Sequence, residues 1–339
     1  MNMRQWIAAT IAAERKKALP VLSFPAVQLM DITVRDLIGS SDYQARAMRL
    51  IAERVNSAAS VSFMDLSVEA EAFGSRIVVS DEEVPTVVGS IVGEDSVIED
   101  LAIPSVGAGR TGLYLGAIES VIPQIVDRPV FAGIIGPFSL AGRLMDVTEV
   151  MMLCYDEPEL VHGVLRKCTD FLVEYARAYK DVGAHGVVMA EPLAGLLSPS
   201  LAEEFSSTYV RRIVDAVQDD AFAVIYHNCG GGVVKSIDSI IETGAWGFHF
   251  GNAIDMAEVA PLVPADRLVM GNVDPAGEIR NGTPESVRAK TFEILERCAQ
   301  YPNFIISTGC DIPPMAPWEN IEAFFFAVEE FYDEKTTTE

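Results

Sequence analysis

The 339-residue sequence is poor in the side chains that perform most protein chemistry, with four histidines and five cysteines. The cysteines are odd in number and lack disulfide-scaffold spacing, which excludes a small stapled secreted fold and points to a reducing cytoplasm. Positive charge is also scarce. Lys and Arg total 25 against 49 Asp and Glu, giving a net charge of −24 and a pI near 4.5. This balance argues against non-specific binding to nucleic acid or to an anionic membrane. No run of about 20 uncharged apolar residues occurs, so no membrane span is expected. The opening "MNMRQWIAATIAAERKK" has its charges after a brief apolar stretch, the reverse of a secretory signal, and reads as an amphipathic helix over 1–18. Hydrophobic residues, by contrast, are plentiful: they make up 50% of the chain, and the mean hydropathy is +0.24. A large core follows, and global disorder is excluded.

Short apolar runs alternate with longer helical patterns along nearly the whole chain. Strands are expected at 21–24, 61–65, 130–136, 186–190, 222–227, 246–250, 267–271 and 304–308. Helical periodicity marks 41–56 and 157–181, the latter with Pro158 in its first turn and Gly183 at its end. Eight buried strands alternating with helices fit an α/β fold, a (β/α)8 TIM barrel; an open doubly wound sheet is the alternative. No low-complexity linker divides the chain, so 1–339 reads as a single domain with a frayed tail at 333–339. The segment 66–129 exceeds one crossover, and "GSRIVVSDEEVPTVVGSIV" within it suggests a hairpin-like insertion at the barrel mouth.

Active sites of such barrels lie at the carboxyl ends of the strands. Those ends carry Asp65, Glu191, His227, Cys229, His249, Asn272, Asp274 and Cys310. Rare reactive residues thus gather in one ring, which favours an enzyme over a scaffold. Within "IYHNCGGG" (225–232), His227 and Cys229 are two apart and point the same way in extended chain. A buried, unreactive pair is the ordinary reading of an isolated His-x-Cys. Cys310 changes it, because barrel closure brings the last strand to the same mouth. Imidazole plus two thiolates suits zinc with an open fourth position. A Cys–His nucleophilic dyad is the third reading, and it leaves Cys310 unexplained. Zinc with these ligands would be formally neutral and would favour the thiolate form of a bound thiol. Water activation for hydrolysis is the competing use of the same ion.

Five stretches carry a family resemblance: "VSFMDLSVEAEAFG" (61–74), "GAHGVVMAEPLAGLLSPSLAEEF" (183–205), "HNCGGG" (227–232), "GNVDPAGEIRNGTPESV" (271–287) and "STGCDIPPMAPWENIEAF" (307–324). Together they resemble the uroporphyrinogen decarboxylase superfamily over nearly the whole chain. The His-x-Cys pair with a late "TGC" is similar to its zinc methyltransferases, which move a methyl group from a methylated corrinoid protein to a thiol such as coenzyme M. The resemblance implies a (β/α)8 barrel, zinc on His227, Cys229 and Cys310, and a small-molecule thiol acceptor. Two departures sharpen it. The decarboxylases' N-terminal arginine motif is missing, since 19–34 contains no arginine, although Asp65 matches the decarboxylase aspartate that faces the macrocycle. No DxHxxG cobalamin motif is present either, which implies a separate corrinoid carrier protein as partner. The competing functions are a decarboxylase of porphyrin-like substrates and a non-catalytic corrinoid- or tetrapyrrole-binding protein.

The expected mechanism is attack of a zinc-held thiolate on the methyl carbon of methyl-Co(III), with Co(I) leaving. Glu191 and Asp65 are the candidate catalytic carboxylates, as fourth ligand or thiol-proton acceptor, or else a loop cap and an arginine partner. Asp65, His249 and Asn272 are candidates for lining the corrinoid pocket. "GAGRTG" (107–112) matches a phosphate-loop pattern but reads as a mouth loop, with Arg110 a candidate contact for an anionic tail such as a sulfonate. His162, Cys154, Cys168 and Cys298 read as packing residues and His185 as a loop residue. The methyl acceptor, the upstream methyl donor and the oligomeric state are not legible.

Overall fold

Apolar runs with no alternation suit strands buried on both faces, as parallel sheets require. A computed structural model describes residues 1–338. Its strands, in chain order, are β1 (Ser60–Val61), β2 (Arg76–Val78), β3 (Thr86–Val88), β4 (Val130–Ile135), β5 (Gly186–Ala190), β6 (Ala223–Asn228), β7 (Gly247–Phe250), β8 (Leu268–Val273) and β9 (Phe304–Thr308). β1 and β4 to β9 pair in chain order, every pair parallel, in one curled seven-stranded sheet of the TIM-barrel type. Each crossover contains helix, as parallel pairing demands.

Seven ladder strands are found where eight were expected. The segment "VLSF" (21–24) occupies the gap between β9 and β1 without forming a ladder. Leu19 N–H donates to Ile306 O at 3.0 Å, and Ala58 N–H donates to Ala18 O at 2.8 Å. Val21 N–H finds the Thr308 hydroxyl at 3.3 Å. Pro20 and Pro25 have no N–H to contribute, so isolated bonds replace a ladder there. The strand expected at 61–65 pairs only at Ser60–Val61, and Ser62 N–H adds one bond to Phe131 O at 2.9 Å.

Inward-facing positions follow the period of two. Phe131, Val188, Ala190, Ala223, Ile225, Leu268, Met270 and Ile305 fill the barrel interior as one apolar cluster. The N-terminal helix covers Met3–Ala12 and not the whole of the expected 1–18, and its Met3 and Ile7 join the same cluster. Two residues further along the strands, the same inward rows become polar: His227 on β6, Asn272 on β8, Ser307 on β9. His249 stands inward on β7, level with His227. The apolar fill therefore ends where the site begins.

The insertion contains the expected hairpin, with β2 and β3 antiparallel. The helices Ser41–Arg54 and Pro158–Asp181 match their periodicity, and Gly183 caps the second at φ +97°. The helix Trp318–Thr338 runs into the segment expected to fray, whose last residue lies outside those described. Among the described residues no helix is long and apolar enough to cross a membrane.

Candidate metal centre

His227 ends the inward row of β6, and Cys229 follows the strand by one residue. The β7 terminus packs directly on that turn: a Cβ on Gly251 would lie 2.5 Å from Cys229 Cα. Cys310 follows β9 by two residues, and Gly309 N–H anchors the approach by donating to Val273 O at 2.7 Å. The imidazole nitrogen and the two sulfurs lie within 4.8 Å of one another. Cys310 Sγ is 3.6 Å from His227 Nε2. His227 is buried while both cysteines are partly exposed, so the cluster opens on its sulfur side.

The second histidine fixes the first. His249 Nδ1 is 2.7 Å from His227 Nδ1, and His227 Nδ1 is 3.2 Å from the His249 carbonyl. A carbonyl only accepts, so the proton between the two rings belongs to His227 Nδ1. In the neutral ring this leaves Nε2 as the acceptor, and it is Nε2 that faces Cys310 Sγ. Burial holds His249 well below the usual imidazole range, so it is neutral. Its remaining proton sits on Nε2, which donates to Ser307 Oγ at 2.7 Å. Metal-binding histidines are commonly oriented by such a bond from the other ring nitrogen.

Each thiol bears on the other's ionisation. The Cys310 contact, with His227 beside it, pulls the Cys229 thiol down to about 4 against the opposing effect of burial. The same contact, then burial, pushes Cys310 well up. A dication bound there would hold both sulfurs as thiolates. Cys154 and Cys298, by comparison, are buried and pushed up to about 12 and about 11, and Cys168 is also raised by burial. They are packing residues.

The carboxylates lie elsewhere. Glu191 is fully buried and accepts from the backbone N–H of Phe138 (3.0 Å) and Ser139 (2.6 Å) and from Ser206 Oγ (3.1 Å). It thereby caps the helix Pro137–Met145. Burial raises its pKa and these donors oppose the rise. Asp65 accepts from Arg110, from Tyr114 Oη at 2.8 Å and from Ser67 Oγ at 2.6 Å. Arg110 also donates to Glu71 at 2.6 Å and to Ser67 at 2.8 Å, and its side chain is 11% exposed. Neither Glu191 nor Asp65 belongs to the donor cluster. The loop expected to offer Arg110 to a ligand instead buries it against Asp65.

Asn272 Nδ2 donates to the Gly251 and Ile254 carbonyls, both at 2.8 Å, pinning the loop after β7. It also lines a hollow of about 330 Å3 with Asn252, Asp274, Glu278 and Lys290. Asp274 caps the following turn through Ala276 and Gly277. His185 Nδ1 accepts from Val130 N–H, and His162 lies between Tyr209 and Glu204. A cavity of about 290 Å3 opens at the mouth, lined by Met64, Ser67, Glu83, Arg143, Arg280 and Asp311. Burial holds the Asp311 carboxyl well above the usual range. Arg143 was not singled out from sequence, because it reads as an ordinary helix arginine.

A parallel barrel with a His/Cys/Cys cluster at the carboxyl ends of its strands defines a barrel protein with a metal-type donor set. Residues 20–331 match the family described as uroporphyrinogen decarboxylase (URO-D), and the chain belongs to that family. The methylcobamide:CoM methyltransferase MtbA of Methanosarcina acetivorans is 30% identical over 262 residues, covering 76% of this chain and 75% of that protein. The uroporphyrinogen decarboxylase of a Synechococcus species is 30% identical over 240 residues, covering 68% of this chain and 66% of that protein. The solved structure of a methyltransferase from Methanosarcina mazei superposes with a TM-score of 0.84, covering 98% of this chain and 99% of that one at 22% identity, a likeness of fold.

Proposed function

We propose that this enzyme, a methyltransferase, moves a methyl group from a methylated corrinoid on a separate carrier protein to a small coenzyme M-like thiol, with zinc held by His227, Cys229 and Cys310. The convergence of these three donors around a pre-set His227 tautomer carries the reading. The donor set fits zinc: one neutral imidazole and two thiolates match its preference for N and S ligands. Zinc bound there favours the thiolate form of an acceptor thiol at neutral pH.

The chain's own residues supply the rest. His249 and Ser307 hold the His227 ring in one orientation, and the apolar interior closes the cluster from below while the sulfur side stays open. Glu191 fixes the start of the helix Pro137–Met145, and Asp65 fixes Arg110, so both carboxylates act through the scaffold. His249 and Asn272 shape the corrinoid side of the mouth from below. In the transfer, the acceptor sulfur forms a bond to the methyl carbon as the carbon–cobalt bond breaks. The bonding pair stays on cobalt, and the thiol proton goes to solvent.

Two observations favour methyl transfer over decarboxylation. No arginine lies in 19–34 to bind tetrapyrrole carboxylates. Asp65 is also already neutralised from within the chain by Arg110. The test is methylcobalamin demethylation, followed spectrally, with thiols and tetrahydrofolate as acceptors. Turnover with thiols is expected; turnover with the folate alone would overturn the zinc–thiolate role while leaving methyl transfer intact.

A further inference from the structure

Each of the three donors must be held in place, and the supports of two are plain. His249 orients His227, and Gly309 N–H anchors the approach to Cys310. Cys229 lies just beyond the end of β6, ahead of glycines 230–232, which bring no side chain to hold it. Its support comes from the outer face of the strand. By the period of two, His227 points into the barrel while Tyr226 and Asn228 point out toward the helical layer. Asn228 Oδ1 accepts from Gly230 N–H at 2.9 Å and so closes a ring around Cys229. That bond fixes the carboxamide. Its oxygen answers an N–H, so its NH2 group is the end that donates to Tyr226 Oη at 3.0 Å. Asn228 and Tyr226 are each 1% exposed, so solvent does not replace either bond when it is lost.

The turn is also wedged from the same side. A Cβ on Gly195 would lie 2.6 Å from Gly230 Cα and 2.7 Å from Asn228 Oδ1. Gly195 belongs to the short turn Pro192–Leu196 directly after Glu191, whose N–H donates to His227 O at 2.8 Å. Ser206, which donates to Glu191 Oε2 at 3.1 Å, lies beside the Tyr226 hydroxyl. A buried polar group outside the donor cluster therefore backs the Cys229 turn, and Asn228 is its point of contact.

Resting on the reading of His227, Cys229 and Cys310 as metal ligands, we propose that Asn228 is a positioning residue for the metal centre. Through Gly230 N–H it sets the Cys229 sulfur, as His249 sets the His227 imidazole. Tyr226 orients the Asn228 carboxamide and acts on the sulfur only through it.

The test measures zinc affinity by chelator competition on the full chain and on Asn228→Ala, Asn228→Asp, Tyr226→Phe and the Asn228→Ala/Tyr226→Phe double variant. Circular dichroism establishes that each is folded. The cobalt(II)-loaded forms report the ligand set through their sulfur-to-cobalt charge-transfer absorption. Asn228→Ala should weaken zinc by about 10- to 100-fold and lower that absorption toward the level of a single thiolate. Asn228→Asp keeps an acceptor for Gly230 N–H and should recover part of both. Tyr226→Phe should show a smaller loss of zinc affinity, and should add nothing to Asn228→Ala, because its route to the sulfur is already gone. Additive losses in the double variant would overturn that route. Unchanged zinc affinity and an unchanged cobalt spectrum in Asn228→Ala would overturn the assignment while leaving the metal centre standing. Weaker zinc with the full two-thiolate absorption would also overturn it, since Asn228 would then support the fold and not the sulfur. If Asn228→Ala does not fold, Tyr226→Phe decides, and unchanged zinc affinity there overturns the proposal. A wild type that takes up neither ion would overturn the metal reading and this assignment with it.

Discussion

Two polar clusters sit at the same end of this barrel and are built on opposite principles. Around Asp65, every charge has an internal answer: Arg110, Tyr114 and Ser67 donate to the aspartate, and Glu71 takes the remaining side of Arg110. Around Cys229 the donors face one another, an imidazole nitrogen and two sulfurs within 4.8 Å. A saturated cluster stabilises the barrel wall. A convergent, unsaturated one calls for a cation from outside. The contrast also explains why Asp65, at an equally favourable strand end, is assigned to the scaffold.

The largest expected break in this comparison is at the sulfurs. Cys229→Ser or Cys310→Ser should abolish the zinc, on the order of one ion per chain, measured by metal analysis under reducing conditions. Arg110→Met should leave that zinc in place and destabilise the fold by about 3–5 kcal/mol in chemical denaturation, because Asp65 stays buried without its cation.

Glu69 sharpens the contrast through pH. One of its oxygens accepts from Ile135 N–H, the other is buried without a partner, and burial raises it to about 7. The folded state therefore holds a proton that the unfolded chain has lost between pH 4.5 and 7. That contribution is full below the unfolded pKa and disappears as pH rises through the folded one. Relative to Glu69→Gln, the wild type should lose on the order of 3 kcal/mol across this window, read as the difference between their denaturation curves. No such difference would mean that Glu69 is ionised in the fold. The smallest expected effect is at the second histidine: His249→Gln should weaken zinc by about 10- to 100-fold in a chelator competition, with the fold intact.

The barrel was legible because β4 to β9 are largely apolar, and the polar residues they carry fall at or near their carboxyl ends. The segment 21–24 has the same look, but flanking prolines deprive it of a ladder. The convergence of His227, Cys229 and Cys310 was legible because strand parity and closure bring them to one mouth. Partnerships across the sequence were not. Nothing near Glu191 says that it caps a helix beginning at Pro137. The glycines around Arg110 suggested an open loop, whereas they let it fold back on Asp65.

Zinc titration of the metal-free protein tests the central claim most directly. The readout is methylcobalamin loss in the presence of 2-mercaptoethanesulfonate. Turnover is expected to be absent without metal, to rise with added zinc and to saturate near one ion per chain, with none regained in Cys310→Ser. Full turnover in the metal-free protein, or zinc saturation without methyl transfer to any thiol, would contradict the account.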